Sequence, residues 1–207
     1  LDRAVVREAV RAREPGIEAR DALEPQHRAA ARDERRRAGE RVRSGVLDET
    51  DRIELIDGEL IDMAPIGCKH AFLVDRLAEL LGGGPRASYM VRVQNPIQLG
   101  DNSEPQPDIS LVTRNNYLDR LPGPPDILLI VEVSDSTLKY DREVKLRCYA
   151  RHGIPEVWLL DANTGEMTVH REPAGNNYGL IRTPAAVDAI APLLVPGVFV
   201  TPTELLA

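Results

Sequence analysis

The sequence is poor in cysteine and in aromatic residues. Its 207 residues include two cysteines, one tryptophan and two phenylalanines. Cys68 and Cys148 are far apart and match no C-x-x-C metal-binding spacing, which argues against a zinc site. Isolated cysteines are typical of a reducing compartment, so we expect a cytoplasmic protein. The few aromatics leave no visible stacking platform for single-stranded nucleic acid.

Long hydrophobic runs and an excess of basic residues are also missing. No window approaches the roughly 20 apolar residues that a membrane-spanning helix needs, so no membrane partner is expected. The 26 Lys and Arg residues are outnumbered by 33 Asp and Glu residues, which gives a net charge of −7. This balance counts against a broad surface that coats nucleic acid, but it leaves room for a local basic cleft.

The N-terminal residues differ from the rest of the chain. The segment "RAAARDERRRAGERVR", Arg28–Arg43, is rich in Arg, Ala and Glu and has no wide apolar stripe. Such a composition predicts a solvated helix that is partly disordered. An arm that contacts phosphates is the alternative interpretation, although glutamates are interleaved with the arginines. We therefore divide the chain into an extension over residues 1–44 and a domain over residues 45–207.

From residue 45 onward, the pattern predicts alternating strands and helices. The Asp57-Gly58 dipeptide between two short strands indicates a hairpin turn, because glycine accepts a positive φ. A helix with leucines at helical spacing follows and ends at the glycines of residues 82–84. The later elements are strands over Ser88–Leu99, Asp108–Thr113 and Ile127–Val133, a helix over Asp141–His152, and strands in "EVWLLD" and "EMTVHRE". This order predicts an α/β (α+β) domain with a mixed sheet flanked by helices.

Two acidic residues lie where burial makes a charge costly. Glu132 interrupts the apolar run Ile127–Val133, and Asp108 opens the preceding strand candidate directly after Pro107. Consecutive strands are often neighbours, so the two carboxylates are expected to come close together. They would repel each other unless a proton or a cation lies between them. Mg²⁺ or Mn²⁺ is the natural occupant, because it takes oxygen ligands and needs only one or two carboxylates plus water.

Lys145 is the third candidate. On the predicted helix it shares a face with Asp141 and Tyr149, at the border of an apolar stripe. Its ammonium group is therefore expected to lie over the sheet, within reach of the carboxylates.

Each of these residues also has a structural interpretation. Glu132 and Lys145 can form a buried ion pair that has no chemical role. Asp108 can bind nearby backbone N–H groups at the start of its strand, and Asp141 can cap the helix.

Three longer segments resemble a known family. The segments "ELIDGELIDMAPIGCKH", "EPQPDISLV" and "VEVSDSTLKYDREVKLRCYARHGIPEVWLLD" are similar to the restriction endonuclease family catalogued as domain of unknown function 820. Within them, Pro107-Asp108 and Glu132–Ser134 resemble the signature of the PD-(D/E)XK nuclease superfamily. The usual lysine of that signature would fall at Ser134. Some branches take this lysine from the following helix, where Lys145 stands.

The resemblance implies a metal-dependent phosphodiesterase with a restriction-endonuclease-like fold. By this analogy Asp108 and Glu132 bind Mg²⁺ or Mn²⁺, together with the backbone carbonyl of Val133. Lys145 would orient the attacking water or stabilise the transition state.

Three further residues are expected at the border of the site. The resemblance implies Glu59 and His70, and Gln94 is a polar candidate on the strand before Asp108. The expected activity is a DNA endonuclease, and a homodimer is expected because double-strand cutting needs two sites. The alternatives are a non-catalytic module with a nuclease fold that binds nucleic acid or another partner, and an enzyme that acts on RNA or a small phosphodiester.

Overall fold

The computed structural model describes residues 53–84, 88–135 and 140–205. Its elements are β1 (Ile53–Ile56), β2 (Glu59–Asp62), α1 (Cys68–Gly82), β3 (Tyr89–Val93), β4 (Ile109–Thr113), β5 (Ile127–Ser134), α2 (Leu146–Arg151), β6 (Glu156–Asp161), β7 (Met167–Ala174), β8 (Asn177–Arg182) and α3 (Pro202–Leu205). The extension predicted over residues 1–44 lies outside the described residues. Among the described helices, none is long and apolar enough to cross a membrane.

Six strands form one mixed sheet in the order β3-β4-β5-β6-β7-β8. Strands β5 and β6 are parallel, and the other neighbouring pairs in this sheet are antiparallel. Strands β1 and β2 form a separate hairpin. The predicted mixed sheet with flanking helices is therefore confirmed.

Backbone conformation explains where the first strands end. Asp57 and Gly58 have φ values of 53° and 87°, and positive φ at both central residues is typical of a tight hairpin turn. Strand β3 ends at Val93 and is shorter than predicted. Gln94 adopts a positive φ of 48°, and Pro96 has no N–H to donate to a neighbouring strand.

The two faces of the sheet pack against different helices. Leu77 of α1 and Val131 of β5 belong to one buried cluster, whereas Tyr149 of α2 and Ile130 of β5 belong to the other. Successive side chains of a strand point to opposite faces. Glu132 therefore lies on the same face as Ile130, toward α2.

Candidate active site

The start of β4 and the end of β5 place Asp108 and Glu132 beside each other. The register pairs Ile109 with Val131, so Asp108 and Glu132 continue the same ladder. Glu132 Oε2 lies 3.4 Å from the backbone nitrogen of Asp108. Asp108 Oδ2 accepts a hydrogen bond of 2.8 Å from the backbone nitrogen of Val133. Each carboxylate is thus held against the backbone of the neighbouring strand.

The backbone of Val133 offers a further oxygen at this place. In a strand, the N–H and the C=O of one residue face the same neighbouring strand. Because the Val133 N–H points to Asp108, the Val133 carbonyl lies on that side as well.

A buried lysine joins Glu132 to a second glutamate. Lys145 Nζ lies 2.9 Å from Glu54 Oε1 and 3.2 Å from Glu132 Oε1. The hydroxyl of Tyr149 donates to the same oxygen of Glu132 at 2.5 Å, and Glu54 Oε1 also accepts from the backbone nitrogen of Gln106 at 2.8 Å. The lysine therefore connects the β1–β2 hairpin to the central sheet.

A π-helical turn, Asp141–Lys145, leads into α2 and carries two of the charged groups. The backbone N–H of Leu146 donates to the carbonyl of Asp141, five residues earlier, which is the hydrogen bond of a π-helical turn. Asp141 and Lys145 are both buried, and the Ser134 hydroxyl donates to Asp141 Oδ2 at 2.6 Å. Single π-helical turns within helices are frequent at functional sites. The sequence pattern had predicted an uninterrupted helix over Asp141–His152.

The buried charges of this cluster do not balance. Four described acidic residues, Glu54, Asp108, Glu132 and Asp141, are between 2% and 7% exposed. Of the described lysines, Lys145 lies among them and is 6% exposed. Burial raises the pKa of Glu132 to about 8, although Lys145 acts in the opposite direction; the three other carboxylates add to the increase. The pKa of Lys145 is raised, because Glu132 and Glu54 outweigh the effect of its burial. Among the described residues the buried carboxylates therefore outnumber the lysine, and a proton on Glu132 offsets part of this imbalance in the metal-free protein.

Two of the three predicted border residues lie at Asp108. His70 Nε2, in the first turn of α1, is 3.0 Å from Asp108 Oδ1. Gln94 Nε2 lies 3.4 Å from the same oxygen, and the side chain of Gln106 donates to the backbone carbonyl of Gln94. His70 and Gln94 therefore hold the orientation of the Asp108 carboxylate.

The hairpin glutamate that joins the cluster is Glu54 rather than Glu59. Glu59 is exposed on β2, and within the described part of the chain no hydrogen bond or ion pair connects it to the cluster. The sequence prediction did not include Glu54. Its position between Ile53 and Leu55 shows the same signal as Glu132, a single charge in an apolar strand.

The oxygen donors of the cluster suit a hard divalent cation. Among the residues described, no three His, Cys, Asp or Glu side chains form a group that could hold a metal ion by themselves. Two carboxylates, a backbone carbonyl and water are nevertheless a common set of ligands for such ions. Asp108, Glu132 and Val133 offer these oxygens at one place. Of the hydrogen bonds described, Glu132 Oε2 accepts the 3.4 Å contact from the Asp108 nitrogen and no other.

Comparisons with known proteins point to nucleases. A family model described as "Uma2: Putative restriction endonuclease" matches residues 42–203. A crystal structure described as that of "a putative nuclease belonging to DUF820" from Anabaena variabilis matches with a TM-score of 0.62 and 17% identity. The match covers 78% of this chain and 94% of that chain, and at this identity it shows a shared fold. No curated protein gives a significant match.

We expect the substitution Lys145→Met to destabilise the protein in the absence of metal. It leaves Glu54 and Glu132 buried without their ammonium partner, a loss that costs on the order of 3–5 kcal/mol. Urea denaturation measures the free energy of unfolding. Lys69→Met, at an exposed lysine of α1, is the matched control and should change it by at most about 0.5 kcal/mol. An unchanged urea midpoint for Lys145→Met would show that the ammonium does not stabilise this pair.

We also expect the stability of the metal-free protein to fall as the pH rises from 6.5 to 8. The pKa of Glu132 is about 8 in the folded protein, against an ordinary value of 4.5. In this range the folded state keeps a proton that the unfolded state has released, so the free energy of unfolding decreases with pH. The buried His170, whose pKa is lowered to about 4 by its burial, acts in the opposite direction, and its effect on stability falls mainly below pH 6.5. We would measure the free energy of unfolding by urea denaturation at several pH values. Its decrease with pH should be smaller for Glu132→Gln than for the wild type. An equal decrease in the two proteins would contradict a raised pKa of Glu132.

Proposed function

The chain belongs to the Uma2 family, whose model is described as "Putative restriction endonuclease" and matches residues 42–203. On this premise we propose that it is a metal-dependent endonuclease that hydrolyses phosphodiester bonds of DNA. The proposal is carried by one observation: among the described residues, four buried carboxylates, including those of Asp108 and Glu132, surround the ammonium group of Lys145. Charges of this kind are buried only if a proton or a cation compensates them.

In the proposed mechanism, Asp108, Glu132 and the Val133 carbonyl would hold Mg²⁺ or Mn²⁺, which would supply a Lewis acid for the scissile phosphate and a bound water of lowered pKa. His70 and Gln94 keep the Asp108 carboxylate oriented through their contacts with its Oδ1.

One N–H group of the Lys145 ammonium is available for the reaction. An ammonium group has three N–H donors, and Glu54 and Glu132 accept two of them. The third can orient the attacking water or donate to the phosphate oxygen on which charge develops.

The second candidate function is a non-catalytic module that keeps the nuclease fold and binds nucleic acid. One observation favours it: Lys145 already bridges two buried glutamates, and such a pair can be purely structural. The charge imbalance favours the enzyme, because a structural pair does not require the additional carboxylates of Asp108 and Asp141.

Two broader features complete the proposal. Cutting both strands of a duplex requires two sites, so we infer a homodimer that presents one site to each strand. We place this activity in the cytoplasm, where the two unpaired cysteines would remain reduced.

We expect the purified protein to nick supercoiled plasmid with Mn²⁺ or Mg²⁺ and not with EDTA. Asp108→Asn should lower the nicking rate by about 10²-fold or more, the scale on which a single catalytic group acts. Asp62→Asn, at an exposed aspartate of β2, is the matched control and should cut like the wild type.

Parallel reactions with RNA identify the substrate. If the protein cleaves RNA but not plasmid, its substrate is RNA and the proposal of a DNA substrate is wrong. Folded protein that cuts neither polymer with either metal would favour the non-catalytic module.

A further inference from the structure

An arginine that forms no ion pair with a described carboxylate lies on the edge strand beside the site. Arg92 belongs to β3, which forms one edge of the sheet. Its one described hydrogen bond is long, 3.5 Å from its terminal nitrogen to the Pro96 carbonyl, and its Nε is buried without a hydrogen-bond partner. Within the described part of the chain, no aspartate or glutamate forms an ion pair with it. Its positive charge is therefore not neutralised by these residues.

The sheet register places Arg92 on the same face as Glu132. Arg92 pairs with Ser110 of β4, and Ser110 pairs with Ile130 of β5. Paired residues of adjacent strands point to the same face, as do residues two positions apart along a strand. With strands about 4.8 Å apart and about 3.3 Å per residue, the Cα atoms of Arg92 and Glu132 are separated by roughly 12 Å. One strand of duplex DNA advances about 3.4 Å per nucleotide, so this separation corresponds to a few nucleotides.

An aromatic ring lies beside the guanidinium. Arg92 Cζ is 5.9 Å from the centroid of the Tyr117 ring, and Arg120 Cζ is 4.9 Å from it. The Tyr117 hydroxyl donates to the Thr113 carbonyl at 2.8 Å, which fixes the ring. Arg120 is paired with Asp126 at 2.5 Å, so it supports the ring while its charge is neutralised. Arg92 remains the cation whose charge is available to a ligand.

We propose that Arg92, supported by Tyr117, binds a backbone phosphate of duplex DNA a few nucleotides from the bond that is cut. This inference rests on the proposed function and adds to it a contact outside the carboxylate cluster. A planar guanidinium suits a phosphate because it can donate two parallel hydrogen bonds. The chain has a net charge of −7, so a cation without an acidic partner at the edge of the site gives local attraction where the whole protein repels DNA.

The test measures binding without cleavage. The parent is Asp108→Asn, and the probe is a fluorescein-labelled DNA duplex of about 20 base pairs in EDTA, followed by anisotropy between about 50 and 200 mM NaCl. Adding Arg92→Gln should weaken binding at all salt concentrations and reduce the slope of log affinity against log salt by about 0.9, the value for one lost phosphate contact. Arg92→Lys should keep most of this slope.

The matched control is Arg182→Gln in the same parent. Arg182 is an exposed arginine at the end of β8, the opposite edge of the sheet, so its loss should leave the slope unchanged. Hydrogen exchange of the parent with and without the duplex is a second measurement that needs no substitution at Arg92. It should show protection of residues 89–93 and 114–120 relative to residues 177–182.

The outcomes separate this contact from the enzyme assignment. An unchanged affinity and slope for Arg92→Gln would overturn the contact, as would a parent that binds no duplex at the lowest salt. If Arg92→Gln does not fold, absence of protection at residues 89–93 would overturn it equally. A slope reduced as expected, in a protein whose wild type never nicks plasmid, would support the contact and reject the nuclease. Nicking by the wild type together with an unchanged slope would reject the contact alone.

Discussion

Among the described residues, one ammonium group, that of Lys145, lies among four buried carboxylates, and the arrangement of the site depends on that imbalance. Lys145 bridges Glu54 of the hairpin and Glu132 of the central sheet. These two ion pairs connect segments that are distant in sequence, and breaking a buried pair is strongly destabilising. His70 contacts Asp108, and a proton on Glu132 offsets part of the remaining negative charge in the metal-free protein. In our proposal a divalent cation replaces that proton.

The cluster has a deep part and a shallow part. The side chains of Lys145, Glu54 and Glu132 are 7%, 2% and 4% exposed, and the fully buried Tyr149 supports them. The side chains of His70 and Asp108 are 14% and 10% exposed. In our account the deep part holds the fold together, and from it Glu132 and Lys145 reach the ion and the substrate beside the shallower Asp108. The fold and the reaction then depend on the same carboxylate, that of Glu132.

Local sequence patterns predicted the residues that stand out against their immediate neighbours. The sequence singles out Glu132 because it interrupts an apolar run, and Lys145 because helical spacing places it beside an apolar stripe; the structure brings the two side chains into contact. Glu54 was not found, because its partners Lys145 and Gln106 are 91 and 52 residues away. The way the hairpin packs on the sheet is a tertiary effect, so spacing alone did not distinguish the buried Glu54 from the exposed Glu59. The π-helical turn was missed for a related reason, since its side-chain spacing over five residues resembles that of an ordinary helix.

The central claim is that the excess charge at Asp108 and Glu132 selects a divalent cation. The most direct measurement is anomalous diffraction from crystals of the wild-type protein grown with Mn²⁺. Our account predicts one strong anomalous peak that contacts both carboxylates, at about 2.0–2.2 Å from their oxygens. A map with no peak there at saturating Mn²⁺, with Lys145 still bridging Glu54 and Glu132, would contradict it and make the cluster a structural device.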